Sequence, residues 1–280
     1  MTMPIRKTVT LRTHTFDLDW NRHVTSRTYE KFGYDARFSI LEDLGYSVHR
    51  CLEEEIQYIS HSAFIKFLGQ QFANSDIEVV TELSRDKDGL LYWKQNLIDA
   101  KGKPACELYS TSYLQSKDGT KLILDVPLLE ENWKESGIHK KSEEQFTLEH
   151  HWPIPFSDMN CFWNLPSDSI WKIFEEGRFL FFREVIDLSL IKATDTTTFF
   201  MGGEIQINEL PSPGSKITLH SWIETFEKIR FYFRQDIVGE DGKVLVSMKD
   251  EQLFVALSAS RPKKAPPEFI AKVEKFIEKK

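Results

Sequence analysis

Apolar residues recur along this chain with two different periods, and the periods change in blocks. Tyr29, Phe32, Ala36 and Ile40 are separated by steps of three and four, which puts them on one face of a helix. Ile170, Ile173, Gly177 and Phe181 repeat that stripe. A short strand pattern precedes each helix, KTVTLRT in one case and FTLEHHW in the other. Runs rich in β-branched and aromatic residues follow: DIEVVTEL, LLYWKQNLID and CELYSTSYL after the first helix, KITLHSWIE, IRFYFRQDIV and VSMKDEQLFVAL after the second. AKGK and EDGK have the composition of hairpin turns, with Gly102 and Gly242 where a positive φ is wanted. Ser26 and Ser167 are placed to cap the two helices.

The blocks are two copies of one pattern. Sliding the chain on itself pairs Asp17 with Asp158, Val24 with Leu165, Ser26 with Ser167, Lys31 with Lys172 and Arg37-Phe38 with Arg178-Phe179. After the register slips by one residue, Ile77 meets Ile217, Gln95 meets Gln235 and Gly102-Lys103 meets Gly242-Lys243. A helix followed by antiparallel strands, twice over, predicts an α+β fold of two tandem domains. The boundaries expected are 1–127 and 146–258, joined by a linker over 128–145 whose charged LLEENWKESGIHKKSEE lacks apolar periodicity. Residues 259–280 carry an amphipathic helix whose Phe269, Val273, Phe276 and Ile277 can face the body, with terminal lysines that suit a helix C-terminus.

Composition narrows the class. Of 280 residues, 41% are hydrophobic and 28% charged, which is ordinary globular usage. A net charge of -7 argues against a nucleic-acid partner, because phosphate neutralisation needs a clustered basic surface. Cys51, Cys106 and Cys161 form no CxxC pair, so neither a disulfide framework nor a zinc site is expected, and the thiols are expected to be buried or inert. His14, His150 and His151 lack a third ligand at metal spacing, and no metal or other cofactor is expected. The N-terminus lacks an apolar leader and no run approaches the roughly 18 apolar residues of a spanning helix, so a cytoplasmic protein with no membrane span is expected.

The candidate chemistry lies ahead of the first helix. In FDLDWNRHVTSRTYEKFGYDAR, Asp19, Asn21 and His23 stand at alternating positions. By spacing alone this is either an Asx-type turn leading into an N-cap or an acid, amide and imidazole gathered for catalysis. With the helix residues included, the stretch resembles the hotdog-fold thioesterases, which share D-x-D-x-x-x-H-V-N-N followed by a Tyr and an Ala-Arg in the helix. DLDWNRHV is similar to the DLDxNxHVNN of the acyl-carrier-protein thioesterases through its valine. The 4-hydroxybenzoyl-CoA thioesterases share the acid aligned with Asp19. Thr25 and Ser26 replace the family's asparagine pair, and the second copy, DMNCFWNLPS, has Asn160, Phe162 and Asn164 in place of the triplet. In the plant acyl-carrier-protein thioesterases the motif lies in the second hotdog domain, whereas here it lies in the first.

The resemblance implies two hotdog domains, each a long central helix wrapped by an antiparallel sheet, forming an intrachain pseudo-dimer with one working site per chain. It implies hydrolysis of an acyl-CoA or acyl-carrier-protein thioester, with Asp19 as general base or nucleophile and Asn21 and His23 assisting. Backbone amides from Thr25 through Ser26 to Arg27 would face the oxyanion, and Arg22, Arg27 and Lys31 would meet the phosphates or acids of the carrier. Arg37, repeated as Arg178, is expected to be an ion-pair donor. Two other readings stay open: a protein that binds acyl thioesters without cleaving them, and a hotdog enoyl-CoA hydratase, whose D-x-N-P-x-H is one residue longer than the spacing here. Two such chains could associate through exposed sheet edges into a homodimer of pseudo-dimers.

Overall fold

The computed structural model describes residues 3–19, 22–129, 133 and 136–279. In chain order they form β1 (Ile5–Arg12), α1 (Ser26–Asp43), α2 (Val48–Glu53), β2 (Gln57–Phe67), β3 (Asp76–Arg85), β4 (Leu91–Asp99) and β5 (Pro104–Gln115). There follow β6 (Leu148–Pro153), α3 (Ser167–Phe181), α4 (Leu188–Ala193), β7 (Thr196–Ile207), β8 (Lys216–Phe226), β9 (Arg230–Gly239), β10 (Val244–Ala256) and α5 (Pro267–Val273). The chain divides into two compact units, Met1–Glu135 with Ser157–Trp171, and Ser136–Phe156 with Lys172–Lys280.

In the first unit the strands pair antiparallel in the order β1-β3-β4-β5-β2. The second unit uses the same order, β6-β8-β9-β10-β7. Strand β4 illustrates the underlying pattern: Leu91, Trp93, Gln95 and Leu97 are buried and the residues between them are not, as a pleat with one covered face requires. Gly102 and Gly242 close their hairpins at φ of 74° and 81°, the conformation their sequences demanded.

Strands β2 and β7 have no counterpart in the sequence expectation, and both carry irregular pairing. In β2 the buried residues are Tyr58 and Ser60, then Ala63 and Ile65, because a bulge between Ser60 and Ser62 inserts a residue and moves the alternation to the other phase. In β7 the register shifts opposite Glu251 and Gln252, so that Met201 lies between the paired Phe200 and Gly202.

Helix α1 lies against β1, β3, β4 and β5 and buries Tyr29, Phe32, Ala36 and Ile40, the stripe seen in the sequence. Its cap is Thr25, not Ser26: Thr25 is extended (φ -80°, ψ 163°) and its hydroxyl accepts from the Thr28 N–H, while Ser26 is already helical. Ser167 is likewise the first residue of α3, and its hydroxyl donates to Glu30 rather than capping a helix. In the second unit Phe181, Phe233 and Phe276 join Phe231, Phe254 and Phe269 through Phe182 in a continuous ring cluster. The tail joins it through α5 and one 3-10 turn at Glu274–Phe276, a shorter helix than its pattern allowed. Cys51 and Cys106 are buried and Cys161 is exposed, and all three are free thiols. No helix of the described residues is long and apolar enough to cross a membrane.

Gly177 marks the tightest helix-to-sheet approach in the second unit. A Cβ there would stand 2.1 Å from Leu219 Cδ2 and 2.3 Å from Gln235 Nε2. Gly177→Ala is expected to destabilise the chain by about 1–3 kcal/mol through overpacking, read as a lowered midpoint in urea with an unchanged slope.

Candidate functional site

The segment before α1 is a closed turn. Asp19 N–H donates to the His23 carbonyl at 2.8 Å, Arg22 N–H donates to the Asp19 carbonyl at 2.9 Å, and the Asp19 carboxylate accepts from the His23 N–H at 2.9 Å. Arg22 takes a φ of 70° to make the bend. Leu18 and Val24 bridge across its mouth, and Val24 N–H donates to Gln71 O at 3.1 Å, fixing the turn to the segment before β3. The His23 ring meets Phe72 edge-on at 5.9 Å between centroids. The turn is stitched to the head of α1 by Asp17, whose carbonyl accepts from Thr25 N–H at 3.2 Å and from the Thr28 hydroxyl at 3.1 Å.

The structure therefore brings Asp19, His23, Thr25, Ser26 and Arg27 together between the turn and the helix head, with exposed Arg22 on the bend. Asn21, the middle member of the triplet, lies outside the described residues, as does Trp20.

The second copy folds the same turn without the acid. Asn160 N–H donates to Asn164 O at 3.0 Å, Trp163 N–H donates to Asn160 O at 3.1 Å, and the Asn160 side-chain oxygen accepts from the Asn164 N–H at 3.3 Å. Trp163 takes the positive φ of Arg22, at 59°. Ser169 donates to the Asp158 carbonyl at 2.9 Å, as Thr28 does to Asp17. A carbonyl-type oxygen at the first position is all that this turn needs, so the negative charge of Asp19 is surplus to the architecture. That surplus is the argument for chemistry.

A second polar group, of which the sequence expectation held only Arg37, lies inside the first unit. Glu30 and Arg37 are both buried on α1, with Arg37 Nη2 donating to Glu30 Oε1 at 2.9 Å. Ser167 Oγ donates to the same oxygen at 2.6 Å. Arg37 Nε donates to Gln95 Oε1 at 2.9 Å, and Gln95 Nε2 reaches Gly33 O and Thr81 Oγ1, both at 2.9 Å. Beside it, burial and then the charge of Glu30 push the Asp168 carboxyl above the usual range, against the pull of Arg27. The signal that marks this group in the sequence is an acid and a base seven residues apart on the apolar side of a helix. Arg37 is thus the ion-pair donor expected, and Arg178 plays that part with Asp250 in the second unit.

His139, Glu224 and Glu278 place ligand atoms within 4.8 Å of one another in the second unit. Arg234 and Lys249 already engage Glu224, at 3.0 Å and 2.6 Å, so protein cations balance this cluster.

No family model and no curated protein sequence matches the chain. Solved structures do match. A putative oleoyl thioesterase from Lactobacillus plantarum superposes with a TM-score of 0.71 at 10% identity, covering 89% of this chain and 96% of that one. An acyl-ACP thioesterase from Bacteroides thetaiotaomicron gives a TM-score of 0.66 at 14% identity, over 89% of this chain and 97% of that one. This chain has the hotdog-thioesterase fold. The 12:0-ACP thioesterase from Umbellularia californica has the same likeness, with a TM-score of 0.66 at 9% identity over 92% of this chain and 94% of that one. The hotdog match spans both copies of the repeat, so the resemblance carried by some twenty residues extends in three dimensions to nearly the whole chain.

Because Asn160 builds the same turn in the second copy, Asp19→Asn is expected to leave the melting temperature within about 2 °C of wild type, a surface-sized effect. Thr25→Ala removes the α1 cap and is expected to cost about 1 kcal/mol. Thermal and urea melts of the two variants check both values.

Proposed function

We propose that this chain is a thioester hydrolase that cleaves an acyl-CoA or acyl-carrier-protein substrate to a free acid and a thiol. The observation that carries the reading is the Asp19–His23 turn stitched onto the head of α1, with an acid where the turn itself requires only an amide. A thioester carbonyl is activated toward attack, and hydrolysis needs a carboxylate near it and donors for the developing oxyanion. Asp19 supplies the carboxylate as general base or nucleophile, with Asn21 and His23 assisting. The amides of Ser26 and Arg27, in the first turn of an 18-residue helix, supply donors at its positive end. Arg22 and Arg27 are assigned to the phosphates or acidic groups of the thiol carrier. The likeness to structures described as thioesterases supports the same reading.

A second reading is favoured by one observation: Asp19 does in its turn the structural work that Asn160 does in the other. A protein that binds acyl thioesters without cleaving them would need no more.

Thiol release from a panel of acyl-CoAs, short to long with one aromatic, and from acyl-carrier protein tests the two together. Hydrolysis by wild type with a fall of about a hundredfold or more in folded Asp19→Asn supports the hydrolase. Equal rates remove Asp19 from the reaction, and tight acyl-CoA binding without release from any substrate selects the binding protein. Arg22→Ala and Arg27→Ala are expected to raise KM and to leave kcat nearly unchanged, since they serve binding alone.

A further inference from the structure

Glu30 is fully buried, and its two oxygens are treated differently. Oε1 accepts from Arg37 and Ser167, whereas Oε2 meets no donor among the described residues. A buried carboxylate oxygen left without a partner costs more than a neutral group would, so a donor too small to be a side chain belongs there, and water is the ordinary one. Position supports a role for that water. Ser26 and Glu30 are both buried and one turn apart on α1, so their Cβ atoms lie about 5–6 Å from each other on one face. The first-turn amides and the buried acid therefore lie within about one turn of each other on α1.

The internal repeat supplies an independent observation. The position equivalent to Glu30 in the second copy is Trp171, in the same copy that has asparagines in place of Asp19 and His23. The surplus acid of the turn and the buried acid of the helix are present together in one copy and absent together from the other.

We propose that Glu30 is a second catalytic carboxylate of this site, holding on Oε2 the water that releases the acyl group. The inference rests on the thioesterase reading and divides the labour within it. Asp19 attacks the thioester carbon, forming an acyl–oxygen bond. The carbon–sulfur bond breaks and its electron pair leaves on sulfur as thiolate. The Glu30-bound water then adds to the acyl carbon of the resulting anhydride and gives its proton to Oε2. The bond to Asp19 breaks, the free acid departs, and Glu30 returns its proton to solvent, where the thiolate takes one up. Arg37 and Ser167 hold the carboxyl group oriented throughout by their bonds to Oε1.

The test is rapid-mixing thiol release by Glu30→Gln, a substitution that keeps an acceptor for Arg37 and Ser167, using the best acyl-CoA of the panel and with folding checked by urea melt. The expected result is a burst of about one thiol per chain followed by turnover at least a hundredfold below wild type, while Asp19→Asn gives no burst. Wild-type turnover in Glu30→Gln, or slow release with no burst, overturns the assignment and leaves the hydrolase reading standing. A wild type silent toward every thioester overturns both. If Glu30→Gln does not fold, Ser167→Ala serves: loss of one of the two donors on Oε1 is expected to lower kcat about tenfold at unchanged KM, and an unchanged kcat overturns the role.

Discussion

The first unit is organised around a charge pair buried beneath the protein surface. Glu30 and Arg37, 2.9 Å apart on α1, are 0% and 1% exposed, and Arg37 passes the tie to Gln95 on β4, which holds Gly33 and Thr81. Removing one member of such a pair strands the other, at about 3–5 kcal/mol, so the pair and its glutamine hold the helix at one position along the sheet. The apolar stripe of α1 presses it onto the strands, but that stripe alone tolerates sliding and rotation. Directional bonds fix the register, and with it the place of the helix head beneath the Asp19 turn.

The second unit reaches the same arrangement by other means. Gln235 is the counterpart of Gln95 and bonds Ser221, the counterpart of Thr81, at 3.1 Å. Arg178, the counterpart of Arg37, pairs with Asp250 on β10 because its own helix carries Trp171 where Glu30 would stand. One copy thus carries an acid at that helix position and the other an indole, and both keep a buried glutamine that bonds a hydroxyl on the neighbouring strand.

The paired turns also show why a sequence motif can be ambiguous. Asp19 and Asn160 make the same bond to the backbone four residues on, so D-x-N-x-H is a turn signature and a candidate catalytic signature at once. The ambiguity is chemical, because the oxygen that accepts the turn bond is common to both side chains and only the charge is not.

Much of the architecture was legible in the chain itself. The stripes of α1 and α3, the strict alternation of β4, the glycine turns and the internal repeat are local properties, set by side-chain periodicity and backbone sterics. They were enough to place six of the strands after the helices, the α+β class and the turn before α1. Strands β2 and β7 escaped because a bulge changes the phase of the alternation, and where the extra residue falls is decided by the neighbouring strand. The caps were misplaced by one residue because Thr25 and Ser26 are both competent and only the backbone angle chooses between them. Ser167 and Asp168 gave no signal toward Glu30, being more than a hundred residues away along the chain. Periodicity says which face of an element is buried. Which buried charge meets which donor depends on contacts between distant segments, and those exist only once the chain has packed.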